Sequence, residues 1–365
     1  LTGTFVALAA AWLAYSNGAN DNMKGVATLL GSRTTGYRSA LRLGTAATFA
    51  GSACALLLAG GLVSAFSGRG IVPGALVGDP SFLLAVGTGS AAVVMVATVA
   101  GLPVSTTHAL VGSLAGAGIA ASGPRLVGWQ TLASAFALPL LVSPLLAATV
   151  VALANPVSQA MRRRMGVEQD TCWCVGQEQP IVSSSVAVAA LPAAHVGTVA
   201  ECAARYQGRF LGVSAQRLLD AAHYSSAGAV SFARGLNDTP KIAALVLAGT
   251  AALPSGPAVL LVGAGMAVGA LLQARRVADT VGFRITTMSA GQGLTASLAT
   301  ALLVLGASRM GLPVSTTHVS VGALFGLGAS TRGLVRATLR RILLAWLLTV
   351  PAGLAAAWLV YRIVH

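Results

Sequence analysis

Gly101-Leu102-Pro103-Val104-Ser105-Thr106-Thr107-His108 and Gly311-Leu312-Pro313-Val314-Ser315-Thr316-Thr317-His318 are the same eight residues, 210 positions apart. An identity of that length inside apolar sequence means the chain is two copies of one unit. Both copies also keep hydroxyls and a histidine where a membrane-embedded chain otherwise holds hydrocarbon, and polar groups at that depth are costly and functional by default. The combination points to a membrane carrier with a central polar site.

Composition agrees. The 365 residues are 55% hydrophobic and 9% charged, with mean hydropathy +0.79, whereas soluble domains carry about 25% charged residues. Apolar stretches near the ~20 residues a bilayer requires appear at 3–30, 43–66, 82–100, 102–121, 129–153, 221–249, 256–273, 290–310, 312–329 and 342–363. The expected fold is an all-α polytopic membrane protein of ten spans, or twelve if the proline-containing breaks split spans. The 43 glycines suit close helix packing in lipid. The first stretch carries polar residues of functional type and reads as a retained span, not a cleaved signal.

The net charge of +14 does not indicate nucleic acid. The arginines cluster in short loops: Arg33, Arg38 and Arg42; Arg162, Arg163 and Arg164; Arg275, Arg276 and Arg284; Arg332, Arg336, Arg340 and Arg341. That is the signature of cytoplasmic loops. Basic charge swaps sides between equivalent loops of the two copies: 31–42 against 250–256, 67–81 against 274–289, 122–128 against 330–341. Five spans per copy is an odd number, so the second copy enters the membrane upside down. The expectation is two inverted-topology repeats, 1–153 and 221–365, with broken or re-entrant helices meeting at the midplane and both termini outside. Residues 154–220 form a more polar cytoplasmic linker, with Glu168, Asp170 and Glu178, in which Pro180, Pro192 and short Val/Ala runs suit a strand or two.

Two constellations carry chemistry. Asn17-Gly18-Ala19-Asn20-Asp21-Asn22-Met23-Lys24 and Arg234-Gly235-Leu236-Asn237-Asp238-Thr239-Pro240-Lys241 share Gly-x-Asn-Asp-x-x-Lys. Glycine permits an unwound turn. Freed carbonyls with Asn20, Asp21, Asn237 and Asp238 then suit a small hard cation or a proton. Lys24 and Lys241, three residues on, share a helix face with the aspartates and suit charge partners. The plain alternative is a structural ion pair.

In the repeated octapeptide, Pro103 and Pro313 suit the end of one helix and the start of another. Ser105, Thr106, Thr107, Ser315, Thr316 and Thr317 then fall in or beside a first helical turn. Free N–H groups and added hydroxyl donors make that place an anion site. The plain alternative is N-capping. His108 and His318 suit gating or support, as does Gln292, whose equivalent is Phe82. No base is held by a third group, so an intramembrane hydrolase is excluded. In the linker, Cys172, Cys174, Cys202 and His195 form only a weak metal or redox pattern, and reduced thiols are expected in the cytoplasm.

At Gly18-Ala19-Asn20-Asp21, Gly235-Leu236-Asn237-Asp238 and both octapeptides the chain resembles the inorganic phosphate transporter (PiT) family, through both halves but not the linker. The resemblance implies secondary transport of inorganic phosphate coupled to sodium ions or protons, with the Asn-Asp pairs at cation sites and the Ser-Thr-Thr segments at the phosphate. That signature commonly has asparagine at its seventh position, where this chain has Lys24 and Lys241. The implied function is phosphate import by cation symport through alternating access, not an enzyme activity, in a multi-pass plasma-membrane protein. No cofactor is expected beyond the coupling ion. The expected partners are phosphate, the bilayer and a second copy in a homodimer. Sulfate or another tetrahedral oxyanion is the same-fold alternative, and an anion channel a third.

Overall fold

The computed structural model describes residues 2–58, 60–177, 192–249 and 254–365. Glu178, Pro180 and residues 250–253 of the 250–256 loop lie outside them.

The first half comprises α1 (Thr2–Asp21), α2 (Ala27–Gly31), α3 (Tyr37–Leu58), α4 (Gly60–Ala65), α5 (Pro80–Val99), α6 (Thr106–Ser122), a short turn α7 (Trp129–Thr131) and α8 (Leu138–Arg164). Then come β1 (Thr171–Gln177), β2 (Pro192–Thr198), α9 (Val199–Arg205) and β3 (Phe210–Ser214). The second half follows as α10 (Ala215–Gly249), α11 (Ser255–Gln273), α12 (Arg275–Phe283), α13 (Ala290–Arg309), α14 (Thr316–Thr331) and α15 (Arg336–Val364). The protein is a multi-pass helical membrane protein. Among the described residues five helical stretches are long and apolar enough to span a bilayer: Pro80–Val99, Trp129–Arg164, Ser255–Gln273, Ala290–Arg309 and Arg336–Val364. The other expected spans differ for physical reasons. Helices α6 and α14 have 17 and 16 residues, and at about 1.5 Å per residue they fall short of a ~30 Å hydrocarbon layer. Helices α1 and α10 carry the polar cluster.

The outer faces are apolar and the centre is polar. Leu141, Leu145, Leu153, Leu347 and Leu348 are exposed, whereas Asn17, Asn20, Asp21, Asn237, Asp238 and Lys241 are buried. Equivalent helices make equivalent contacts with partners exchanged. Helix α1 packs on α5 and α11, and α10 packs on α13 and α3. Helix α6 packs on α15, and α14 on α8. The two halves therefore interleave and do not sit side by side.

The expected unwinding appears in one copy only. After Asp21 the chain turns through a 3-10 segment at Asn22–Lys24 before α2. The Asn22 amide donates to Thr45 Oγ1 (3.1 Å), and its Oδ1 accepts from Thr48 Oγ1 (3.3 Å), so α3 satisfies the break. In the second copy α10 runs unbroken through Pro240, because the apolar run from Ile242 propagates the helix where the first copy meets Gly25.

Gly18 and Gly235 do not unwind anything: both lie inside helices. A Cβ on Gly18 would strike the backbone of Met266 in α11, and one on Gly235 the backbone of Thr48 in α3. Lacking a Cβ, they let helices of opposite halves touch beside the polar cluster. Gly235→Ala is expected to lower stability by about 1–3 kcal/mol through overpacking, read as a drop in the unfolding temperature of the detergent-purified protein.

The linker, expected to hold a strand or two, holds three. Helix α8 runs to Arg164 and α10 begins at Ala215, and between them β1 pairs antiparallel with β2 and β3 in the order β2-β1-β3. Cys172 and Cys174, two apart, share the face that α9 covers, and Cys202 on α9 meets Cys174. The pair forms a disulfide, which corrects the expectation of reduced thiols throughout. Cys54 and Cys172 are free. His195 Nδ1 lies 3.0 Å from the Arg205 guanidinium, and no described group of three His, Cys, Asp or Glu residues is placed to hold a metal.

Candidate functional site

Every buried Asp, Lys or Arg among the described residues belongs to one cluster: Asp21, Lys24, Arg234, Asp238 and Lys241. Burying an unpaired charge costs several kcal/mol or more, so their convergence is the condition for burying any of them. The cluster lies where the end of α1, the middle of α10 and the two octapeptide segments meet.

The Lys24 ammonium sits in a shell of oxygens. It pairs with Asp21 and donates to Asn20 Oδ1 (2.8 Å), the Val104 carbonyl (2.7 Å) and Thr317 Oγ1 (2.7 Å). Lys241 repeats the pattern, donating to the Val314 carbonyl (2.7 Å), Thr107 Oγ1 (2.8 Å) and Asp238 Oδ1 (3.3 Å). Each lysine thus takes a carbonyl from its own half's octapeptide and a threonine hydroxyl from the other half's. The carbonyls come from the extended Pro-Val segments, not from an unwound α1 or α10 as the sequence suggested.

The glycines that open those segments, Gly101 and Gly311, both have φ near +68°, a left-handed conformation open to glycine at little cost. They turn the chain out of α5 and α13. Ser105 and Ser315 then cap α6 and α14, their Oγ atoms accepting from the amides of His108 (3.2 Å) and His318 (3.1 Å). Thr106 Oγ1 donates to Asp21 Oδ2 (3.1 Å) and Thr316 Oγ1 to Asp238 Oδ2 (3.3 Å). All six predicted hydroxyl residues therefore reach the cluster or cap the helices that enter it, and four hydroxyls contact its charged groups directly. Asn20 ties α1 to Thr98 and Leu102 at the end of α5, while Asn237 receives Ser308 of α13 and donates to the Val314 carbonyl.

Arg234 and Asn17, to which the sequence motif assigns no role, are both central. They occupy equivalent positions in the two copies and touch. The Arg234 guanidinium donates to Asn17 Oδ1 (2.6 Å), Thr48 Oγ1 (3.0 Å) and Asn22 Oδ1 (3.3 Å), and its Nε stands 3.8 Å from Asp238 Oδ2. The Asn17 amide reaches Asp21 Oδ2 (2.9 Å), Thr106 Oγ1 (2.9 Å) and Asp238 Oδ2 (3.4 Å). The available signal was an arginine inside an apolar span. With Arg234 the cluster holds three fixed cations against two carboxylates, a formal excess of one positive charge.

His108 and His318 meet across the halves, ring centroids 4.3 Å apart, and His318 also lies 3.9 Å from Trp346. His318 Nδ1 is 3.1 Å from the Leu140 carbonyl, and the Trp346 indole donates to the Pro103 carbonyl. The pair is a packed seam beside the cluster. Gln292 is remote in role: it closes a capping box with Ser289 at the start of α13.

The spaces on the two sides of the cluster differ, and only the smaller is lined by a cluster residue, Lys24. Beyond Lys241 along α10, Ala244, Leu247 and Ala248 line a cavity of about 500 Å³ with Ser67 and Arg69. On the other side, at Val230, the space beside Lys24 is about 10 Å³, lined by the hydroxyl residues Thr28, Ser297, Thr300 and Ser320. Phe66, packed edge-on to Phe136 at 5.2 Å, lies 5.8 Å from the Lys241 ammonium.

A multi-pass helical bundle that buries a charged, hydroxyl-rich centre between interleaved halves is a membrane transporter, not an enzyme. The chain matches the Phosphate transporter family over residues 17–357 and belongs to it. It is 29% identical to "Inorganic phosphate transporter 2-1, chloroplastic" of Arabidopsis thaliana, over 95% of this chain and 69% of that one. It is 27% identical to a protein of Pyrococcus abyssi that bears the name "Putative phosphate permease", over 94% of each chain. Its fold is similar to that of a solved structure entitled "The sodium-dependent phosphate transporter", with a TM-score of 0.76, 23% identity, and coverage of 100% of this chain and 98% of that one.

Proposed function

We propose that the protein is a secondary transporter that imports inorganic phosphate with a co-transported cation by alternating access. The observation that carries this reading is the excess of one fixed positive charge in a buried, hydroxyl-lined centre, beside two helix N-termini. Such a centre in low dielectric favours an oxyanion. Ser105, Thr106 and Thr107 with Ser315, Thr316 and Thr317 are proposed to bind the anion, and Asn20, Asp21, Asn237 and Asp238 to hold the cationic charge opposite it. His108 and His318 support the seam between the halves.

Residues 1–153 and 221–365 are read as two repeats of inverted topology about a pseudo-twofold axis in the membrane plane, with 154–220 as a cytoplasmic linker. The exchanged helix contacts support the repeat. Short α6 and α14 support re-entrant segments that stop at the midplane. Plasma-membrane location and a homodimer belong to the same proposal.

The test is uptake of radiolabelled phosphate into proteoliposomes under an imposed cation gradient. Saturable, gradient-driven uptake that excess sulfate does not compete away is expected. Flux without saturation would identify a channel, and uptake of sulfate in place of phosphate would identify a sulfate permease.

A further inference from the structure

The ligands around the Lys24 nitrogen are those of a small hard cation, a carboxylate, an amide oxygen, a main-chain carbonyl and a hydroxyl, and Lys241 has the same set without the amide. At Asp21 these are Asp21 itself, Asn20 Oδ1, the Val104 carbonyl and Thr317 Oγ1, and all four contact Lys24 Nζ at once. At Asp238 they are Asp238 Oδ1, the Val314 carbonyl and Thr107 Oγ1, and all three contact Lys241 Nζ. Both lysines are buried, at 5% and 1% exposure.

We infer that Lys24 and Lys241 are tethered substitutes for coupling sodium ions, so that neither Asp-centred shell binds sodium and transport proceeds without it. This rests on the phosphate-transport reading for its activity arm only. A sodium ion in either shell would meet an ammonium at contact distance, and the same oxygens cannot serve both. Sodium therefore does not fit the residues present.

The charge count agrees. The two lysines neutralise the two aspartates, as two bound cations would, and Arg234 supplies the remaining positive charge for the anion. Because the lysines reach across to Thr317 and Thr107, each also joins the two halves in this conformation.

The experiment uses the full chain, purified in detergent and reconstituted. Radiolabelled sodium is expected to show no saturable binding to the wild type, and replacing sodium with choline is expected to leave phosphate uptake under a proton gradient unchanged. Saturable sodium binding by the wild type, or an uptake loss of about tenfold or more without sodium, overturns the inference. The Lys24→Asn plus Lys241→Asn variant empties both shells and is expected to gain saturable sodium binding. A folded double variant that binds no sodium also overturns the inference. Should that variant not fold, the wild-type binding result decides. Absence of phosphate uptake under every gradient would refute the proposed function, while the sodium-binding measurement would still judge the shells.

Discussion

Asp21→Asn is expected to cut phosphate uptake by about a hundredfold or more, a transition-state loss of about 3 kcal/mol. Among the described residues Asp21 carries the carboxylate paired with Lys24, and its oxygens also take the Asn17 amide and the Thr106 hydroxyl. Asparagine has nearly the same shape but replaces one acceptor with a donor and removes the charge. Lys24 would then be a buried cation without its counter-ion, and breaking a buried pair costs about 3–5 kcal/mol. Asn20, Val104 and Thr317 still accept from the ammonium, so a folded monodisperse protein is expected by size exclusion. Asp238→Asn has the same expected effect on uptake and the larger effect on stability, because Asp238 faces both Lys241 and Arg234. Normal uptake by either variant would contradict the charge balance on which the proposed function stands.

The parts of the site that repeat were legible in the sequence, because repetition at a fixed offset survives without coordinates. Gly-x-Asn-Asp-x-x-Lys placed each aspartate with its lysine, three residues on, and the octapeptides placed the hydroxyls at helix starts. What could not be read was which half each group serves. Lys24 and Thr317 are 293 residues apart, and only the interleaving of α1 and α10 with the opposite octapeptides brings them together. The role of Gly18 and Gly235 was misread for a related reason: a glycine that relaxes its own helix and one that admits a neighbour look alike in sequence. Cys174 and Cys202 paired because strand alternation and a covering helix put both in one dry core, which no spacing rule specified. Gly25 against Ile242 explains why the two copies differ at the break, a local contrast that the shared motif concealed.

Arg234 breaks the symmetry of the site, and its removal provides the second large effect. The equivalent residue in the first copy is the neutral Asn17, so the odd positive charge of the cluster is Arg234's alone. In Arg234→Gln two lysines balance two aspartates, and the centre loses its net attraction for an anion. One charge at about 7 Å with an effective dielectric near 20 is worth ~2 kcal/mol, so phosphate KM is expected to rise about thirtyfold. Lost hydrogen bonds to Asn17, Thr48 and Asn22 would add a stability loss, which by itself lowers the amount of folded protein and leaves KM unchanged. Arg234→Lys separates the two contributions: it keeps the charge and gives up the planar fork that bridges Asn17 to Thr48. Its KM is expected to stay within about threefold of the wild type, with the stability loss retained. If both variants raised KM equally, Arg234 would act by geometry and not by charge. If neither raised it, the anion would not be balanced by this cluster, and its site would have to lie elsewhere in the fold.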